Sequence, residues 1–558
     1  MLKPNMERQK KIQQQIIANF HQSHFPKLTF AFDSAIGSNS SALHADRSLR
    51  SRNLYSSNKH IGQSFSPVDN TPITHGKFSD PEFLPIPGSI KQGNEETSFD
   101  DFEYRANVAR WLRPEHIRWS NDAEQYQLTV FNQPHSKDII QGRLGDCWFI
   151  SALALIVEIP QILYKIMITK QYNPAGLYKI RLCNRGIWQV VTIDDMLPVT
   201  ESNSLIFARS HKKQLFVSLI EKALAKMHGS YKALGFGLES EHAYSILDAK
   251  QVGSQRLVRL RNPWGKKELN SSVSNNLIEW PRILKEKPPT SSEHDGAFWM
   301  PWEEICSSFD DITICKINGN EHKARKRGQF SDFSSKVTSA YWLDCPHGAE
   351  LNIELFNAGD GKYYNRLKEP NVDLFLILLS SNGSCKTYKH SLDYYITLST
   401  TVSAGRYILL AGSMSVVNYS IYSKFNLVVH ADQPFVLNEQ SSSHELVGNA
   451  FHAVAIRANV RKDFGDGVSL LTFNDNGGFG FICENKSNRN IRFTADFQGS
   501  RNVLSSRKAF RMVDVIPAKT KQLFAIFTRK VLSEDVNIVH GVHHIPASNN
   551  PPISSSTL

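Results

Sequence analysis

Gln141-Gly142-Arg143-Leu144-Gly145-Asp146-Cys147-Trp148-Phe149-Ile150 is the stretch from which the fold around it can be read. Gly142 and Gly145 predict a tight turn with positive φ. Asp146 is of the type that caps helix N-termini, and the apolar run from Trp148 to Val157 predicts a buried helix ending near Pro160. Cys147 then lies in the first helical turn, where unpaired N–H groups and the positive end of the macrodipole favour a thiolate. A lone cysteine is more often a small core residue. The rest of the chain decides between that and a nucleophile.

Downstream, 177–182 and 188–193 read as strands around a turn at Gly186, and 214–228 carries apolar residues at helical spacing. Next come Glu239 to Asp248 and Arg256 to Gly265, strand-like runs flanking Val252-Gly253-Ser254. Antiparallel pairing around that turn makes paired residue numbers sum to about 505–507. His242 is thereby placed opposite 263–265, close to Asn262. The order Cys147, His242, Asn262 is that of papain-like proteases. Chemistry assigns the roles: Cys147 attacks a peptide carbonyl, His242 carries the thiol proton to the leaving amine, and Asn262 orients the imidazole through its side-chain oxygen. Gln141 is the candidate side-chain donor to the oxyanion, beside the Cys147 N–H, and Trp264 shields the His–Asn bond from water.

At 558 residues the chain exceeds one core, and its composition, 41% hydrophobic and 21% charged, is that of an ordinary soluble protein. The net charge of +11 reads as spread, with no dense arginine or lysine block. That argues against a nucleic-acid partner and leaves weak contact with an anionic membrane surface as the most it implies. Seven cysteines without a C-x-x-C pair exclude zinc ribbons and redox motifs. The N-terminus lacks a secretory pattern and the longest apolar run is broken at Glu158 and Pro160, so an intracellular, reducing setting is expected.

Composition divides the chain into a disordered leader (1–100, with a short helix near 10–17), a first core subdomain (101–235) and a second (236–318). A β-sandwich follows at 325–430, then a second β-rich domain at 431–540 that includes strands at 453–456 and 480–483, and a disordered tail at 541–558. The fold class is α+β.

Gln-Gly-Arg-Leu-Gly-Asp-Cys-Trp-Phe, His-Ala-Tyr-Ser, Arg-Asn-Pro-Trp-Gly and Asp295-Gly296-Ala297-Phe298-Trp299-Met300 together resemble the calpain family, over about 100–318, and look most like its small optic lobes branch. The resemblance implies a papain-like core of two subdomains, with Cys147 on one and His242 and Asn262 on the other. It implies an intracellular, calcium-regulated cysteine endopeptidase making limited cuts in protein substrates. The alternative is a catalytically weak or inactive relative that binds partners through its β domains. Two calcium sites are implied: Asp138 and Glu221 match the carboxylates of the first, Glu268 and Asp295 those of the second, where Asn275 and Ala297 replace the usual acids. Unlike that branch, this leader has no cysteine before Cys147 and so no zinc fingers. Only eleven positions separate Tyr231 from His242 where the family has several tens. A shortened isoform or incomplete gene product is expected from this, with an open-edged, loose His–Asn hairpin.

Overall fold

The structure is a computed structural model that describes residues 76–91, 108–120, 125–235, 242–252, 255–265, 296–309, 312–313, 322–330, 339–358, 372–413, 424–441, 443–475, 478–531 and 534–547. The expected helix near 10–17 and Glu268, Asn275 and Asp295 lie outside these residues. Two units form: 1–180 with 192–226 and 230–314, and 181–191 with 227–229 and 315–558.

In the first unit, helix α1 (Cys147–Val157) buries Phe149, Ile150, Leu153, Ala154 and Val157, and α2 (Pro160–Ile166) restarts the chain with proline in its first turn, where no N–H is needed. Strands β1 (Leu177–Asn184) and β2 (Ile187–Asp194), of which 181–191 are counted with the second unit, form the expected hairpin. Helix α3 (Phe216–His228) is buried on its apolar side and also at Glu221, Lys222 and Lys226. Burial of two lysines requires partners. Lys222 pairs with Asp194, and Lys226 with Asp80 at 2.9 Å, while the Asp80 N–H donates to Asp194 at 2.8 Å. These bonds correct the reading of 1–100 as wholly disordered, because 76–91 is held here with Phe83 and Ile90 in the core. That segment has no period of its own and is ordered by its partners.

The His–Asn hairpin is β3 (Ser245–Val252) and β4 (Gln255–Arg261). Paired numbers sum to 506 at Ser245–Arg261 and Ile246–Leu260 and to 507 beyond a bulge, within the expected register. The hairpin is not left open on both sides. Strand β5 (Ala297–Pro301) pairs with β4, and α4 (Trp302–Ser308) packs with it, so that Val258, Leu260, Phe298, Met300, Trp302 and Ile305 form one core. Among the described residues no single helix is long and apolar enough to cross a membrane.

The second unit is layered. A four-stranded sheet runs β6 (His322–Gln329), β13 (Lys424–Ala431), β8 (Ala349–Asn357), β11 (Tyr395–Val402). A five-stranded sheet runs β10 (Cys385–Asp393), β9 (Val372–Ser380), β12 (Gly405–Ser413), β7 (Ser339–Cys345), β14 (Val436–Gln440). Their facing side chains share one core, which makes a sandwich. Strand β9 is buried on both faces: Leu374, Leu376 and Leu378 enter that core, and Phe375, Ile377 and Leu379 enter the next. The sandwich extends past 430, since β14 pairs with β7.

Against the outer face of β9 packs α5 (His444–Ala458), which in turn covers a sheet ordered β15 (Val460–Gly465), β16 (Val468–Asp475), β17 (Gly478–Asn485), β21 (Thr520–Arg529), β19 (Val503–Ser505). A final sheet of β20 (Arg511–Ile516), β18 (Ile491–Asp496) and β22 (Gly541–Pro546) closes the stack. Three readings are corrected. Residues 453–456 belong to a helix, capped by Ser443 Oγ on the Leu446 N–H and ended by left-handed Asn459, with Val447, Ala450, Phe451 and Val454 at helical spacing. The tail expected at 541–558 begins with a strand paired to β18. The basic excess is also not evenly spread: Lys323, Arg325, Lys326 and Arg327 gather on edge strand β6, a usual guard against edge pairing.

Candidate active site

Cys147 opens α1, 6% exposed and outside any disulfide. Asp146 stands at the N-cap position but makes no side-chain capping bond; its backbone carbonyl accepts from Phe149 and Ile150. The turn before it is tight for a different reason than expected. Neither glycine has positive φ, but a Cβ on Gly142 would come within 2.2 Å of the Phe207 backbone.

Instead of capping, the Asp146 carboxyl is fully buried and faces Glu221 of α3. Burial pushes Asp146 up to about 7. Glu221 is pushed well above the carboxylate range, first by burial and then by the charge of Asp146. Two carboxyls buried side by side disfavour each other's charge, which adds to burial in raising both. The sequence did not single out Asp146 for this; its partner is 75 positions away.

His242 and Asn262 meet as the register requires. His242 Nε2 and Asn262 Oδ1 are 2.8 Å apart, and Oδ1 also accepts the Trp264 N–H at 3.0 Å. An oxygen taking two N–H bonds fixes the amide, and it requires the proton on Nε2. Nδ1 is therefore the basic nitrogen of the neutral ring, available to a thiol. The Trp264 ring lies 4.2 Å from the imidazole, and Tyr244 meets it edge-on at 4.9 Å while packing against Phe298 and Phe309. Asn262 is 2% exposed and its N–H donates to Gly296 O at 3.0 Å. A Cβ at Gly296 (φ +78°) would approach Asn262 O to 2.8 Å, so this glycine permits the contact.

The hairpin is docked on the cysteine-bearing part, contrary to the loose arrangement expected. Gln141 N–H donates to Pro263 O at 3.1 Å, and Arg261 Nη2 to Ile139 O at 2.7 Å, which brackets Asn262. Ser151 Oγ donates to Ala243 O at 2.9 Å, and Ser245 Oγ to Ser151 O at 2.8 Å. Gln141 Nε2 gives one hydrogen to Leu144 O at 2.7 Å and carries a second. Sequence reasoning missed Ser151, Ser245, Arg261 and Tyr244. Tyr244 and Ser245 stood in the quoted His-Ala-Tyr-Ser, but nothing in spacing reveals a bond to a helix 92 or 94 positions earlier.

The expected calcium ligands that are described, Asp138 and Glu221, have different partners. Asp138 accepts from His135 N–H at 3.1 Å, Gln214 Nε2 at 3.1 Å and Lys212 Nζ at 3.3 Å. Both Glu221 oxygens accept the Ala208 N–H, at 3.0 and 3.1 Å. Among the described residues no three metal-ligating side chains converge. In this arrangement the two carboxylates do not fit a calcium ion, which needs several oxygens around one point.

The calpain family cysteine protease profile matches residues 78–241 and 235–316, and a calpain-D-like C-terminal domain profile matches 454–550. The chain is similar to the calpain-type cysteine protease DEK1 of Arabidopsis thaliana, 30% identical over 331 residues, covering 46% of this chain and 15% of that protein. Similarity to the calpain-1 catalytic subunit of Rattus norvegicus is 28% over 408 residues, covering 58% and 55%. For calpain-B of Drosophila melanogaster it is 27% over 343 residues, covering 47% and 35%. The aligned region thus spans between about one seventh and one half of these relatives.

Proposed function

Since the chain belongs to the calpain family of cysteine proteases, we propose that it is an endopeptidase working by a Cys147–His242–Asn262 mechanism on protein substrates. The observation that carries this reading is the Nε2–Oδ1 bond of 2.8 Å, which turns His242 Nδ1 into the base. Cys147 Sγ gives its proton to Nδ1 and attacks the peptide carbonyl, forming a C–S bond as the carbonyl electrons move onto oxygen. The Cys147 N–H and the second hydrogen of Gln141 Nε2 receive that oxyanion. Collapse breaks the C–N bond as the imidazolium protonates the leaving amine. Water, deprotonated by Nδ1, then cleaves the thioester and returns the thiol.

Family resemblance adds calcium control and an intracellular, reducing setting to the proposal. Seating an ion between Asp138 and Glu221 requires them to exchange their present partners, Lys212 and Asp146, and no chemical step is routed through it. A second reading, a catalytically weak member acting through its β modules, is favoured by one observation. The protease profile matches in two pieces meeting at 235–241, where the sequence reads as shortened.

One experiment separates them: labelling by an irreversible cysteine-protease probe, with and without calcium, against Cys147→Ala. Labelling of Cys147 alone, lost in the variant, supports the protease. Equal labelling of wild type and variant sinks it, and a calcium-insensitive signal removes calcium control.

A further inference from the structure

We infer that Ser151 and Ser245 are positioning residues for the reaction, a reciprocal pair of bonds that sets His242 against Cys147; this rests on the protease reading above. Ser151 lies one turn after Cys147 in α1, so the two share a helix face about 6 Å apart along the axis. Its hydroxyl donates to the carbonyl of Ala243, the neighbour of His242, at 2.9 Å. Ser245 returns the bond, its hydroxyl donating to the Ser151 carbonyl at 2.8 Å. Two bonds from one helical residue to Ala243 and Ser245 fix both the slide and the tilt of the segment that carries His242 into β3, which a single bond leaves adjustable.

Ser245 also pairs across the hairpin with Arg261, the residue before Asn262. The same two serines therefore place the whole His–Asn unit, not the histidine alone. Both are buried, at 5% and 1% exposure, so water does not replace a lost hydroxyl cheaply. Neither serine touches the reacting atoms. Each acts through His242, whose distance from the sulfur decides whether the thiolate–imidazolium pair forms. A displacement of about 1 Å is enough to cost up to 100-fold in rate.

The test uses the full chain and the pH dependence of Cys147 alkylation by iodoacetamide, read by peptide mapping. A thiolate–imidazolium pair reacts over a broad pH plateau that a lone thiol lacks. In Ser151→Ala/Ser245→Ala the plateau should vanish, with the rate at pH 7 down about 10-fold or more. Amide exchange across 242–252 should quicken, while exchange across 372–413 stays unchanged. A double variant with the wild-type plateau and wild-type exchange overturns the inference. A wild type with no plateau refutes the Cys–His reading instead. Exchange at 242–252 then judges the serine pair by itself: faster in the double variant supports it, unchanged defeats it.

Discussion

Around the cysteine the first unit buries charge: Asp146, Glu221, Lys222, Lys226, Asp194, Asp80 and Arg261 are all within 7% of full burial. The sandwich core of the second unit is built from Leu, Ile, Val and aromatic rings, as in β9, where eight consecutive residues are buried. Its buried polar groups sit in small closed clusters, such as His390, Asp373 and Thr528. Burying charge costs free energy unless each ion is paired. Lys222 and Lys226 meet that condition through Asp194 and Asp80, so the first unit depends on its ion pairs where the sandwich of the second depends on apolar packing. Mutations should divide along that line, chemistry failing in one unit and stability in the other.

The largest expected effect is on chemistry alone. Cys147→Ala should reduce peptidase turnover by about 1,000-fold or more, since loss of a nucleophile removes the covalent route. Its thermal unfolding should match wild type, because a small side chain is replaced by one slightly smaller. Undiminished casein cleavage would break the assignment of chemistry to this unit.

The reverse case is Leu376→Ala in β9, fully buried between two sheets. It should cost about 2–5 kcal/mol in urea unfolding of the second unit, while Cys147 alkylation keeps its rate and pH profile. A slowed alkylation would show that the division is not clean.

Smaller again is Asn262→Ala. The imidazole loses the oxygen that fixes its tautomer, while nucleophile and base remain, so turnover should fall about 10- to 100-fold with modest change in KM. Activity equal to wild type would mean that the 2.8 Å bond does not orient the base.

What the sequence made legible follows the same division. In the first unit the hairpin register was readable because pairing is arithmetic: pairing of Val252 with Gln255 fixes the position of His242 relative to Asn262. Contacts between distant segments were not readable, which is why Asp146–Glu221 and Ser151–Ser245 came only from the structure. The segment 76–91 was missed for the same reason, since Asp80 and Phe83 have no local pattern and are held by Lys226 and the core of Tyr231. In the second unit alternation revealed the sandwich strands. It misled at 453–456, where a short apolar run is ambiguous between strand and helix. Ser443 and Asn459, the caps that resolve it, were in plain view.

The smallest effect concerns pH and the buried cluster of the second unit. His390 of β10, 1% exposed, bonds through Nε2 to Asp373 of β9, whose other oxygen takes the Thr528 hydroxyl of β21. Its backbone N–H donates to Asp475 of β16 at 3.1 Å, so this carboxylate also faces it. Burial alone would lower the imidazolium pKa, but the charge and hydrogen bond of Asp373, with Asp475 behind it, more than offset this and raise it above 6.5. The folded state therefore binds the proton more tightly than the unfolded chain does. The stabilisation is fully present below pH 6.5 and is lost as pH rises through the folded value. Each tenfold difference in proton affinity corresponds to about 1.4 kcal/mol. Amide exchange across 372–393, corrected for its intrinsic pH dependence, should show protection declining on the alkaline side. Asp373→Asn sharpens the case by reversing the sign. With the charge gone, burial is left as the main influence on His390, and protection should instead grow as pH rises toward neutrality. The same alkaline decline in both proteins would show that Asp373 does not hold the proton on His390, and that the second unit tolerates a buried charge less simply than its apolar core suggests.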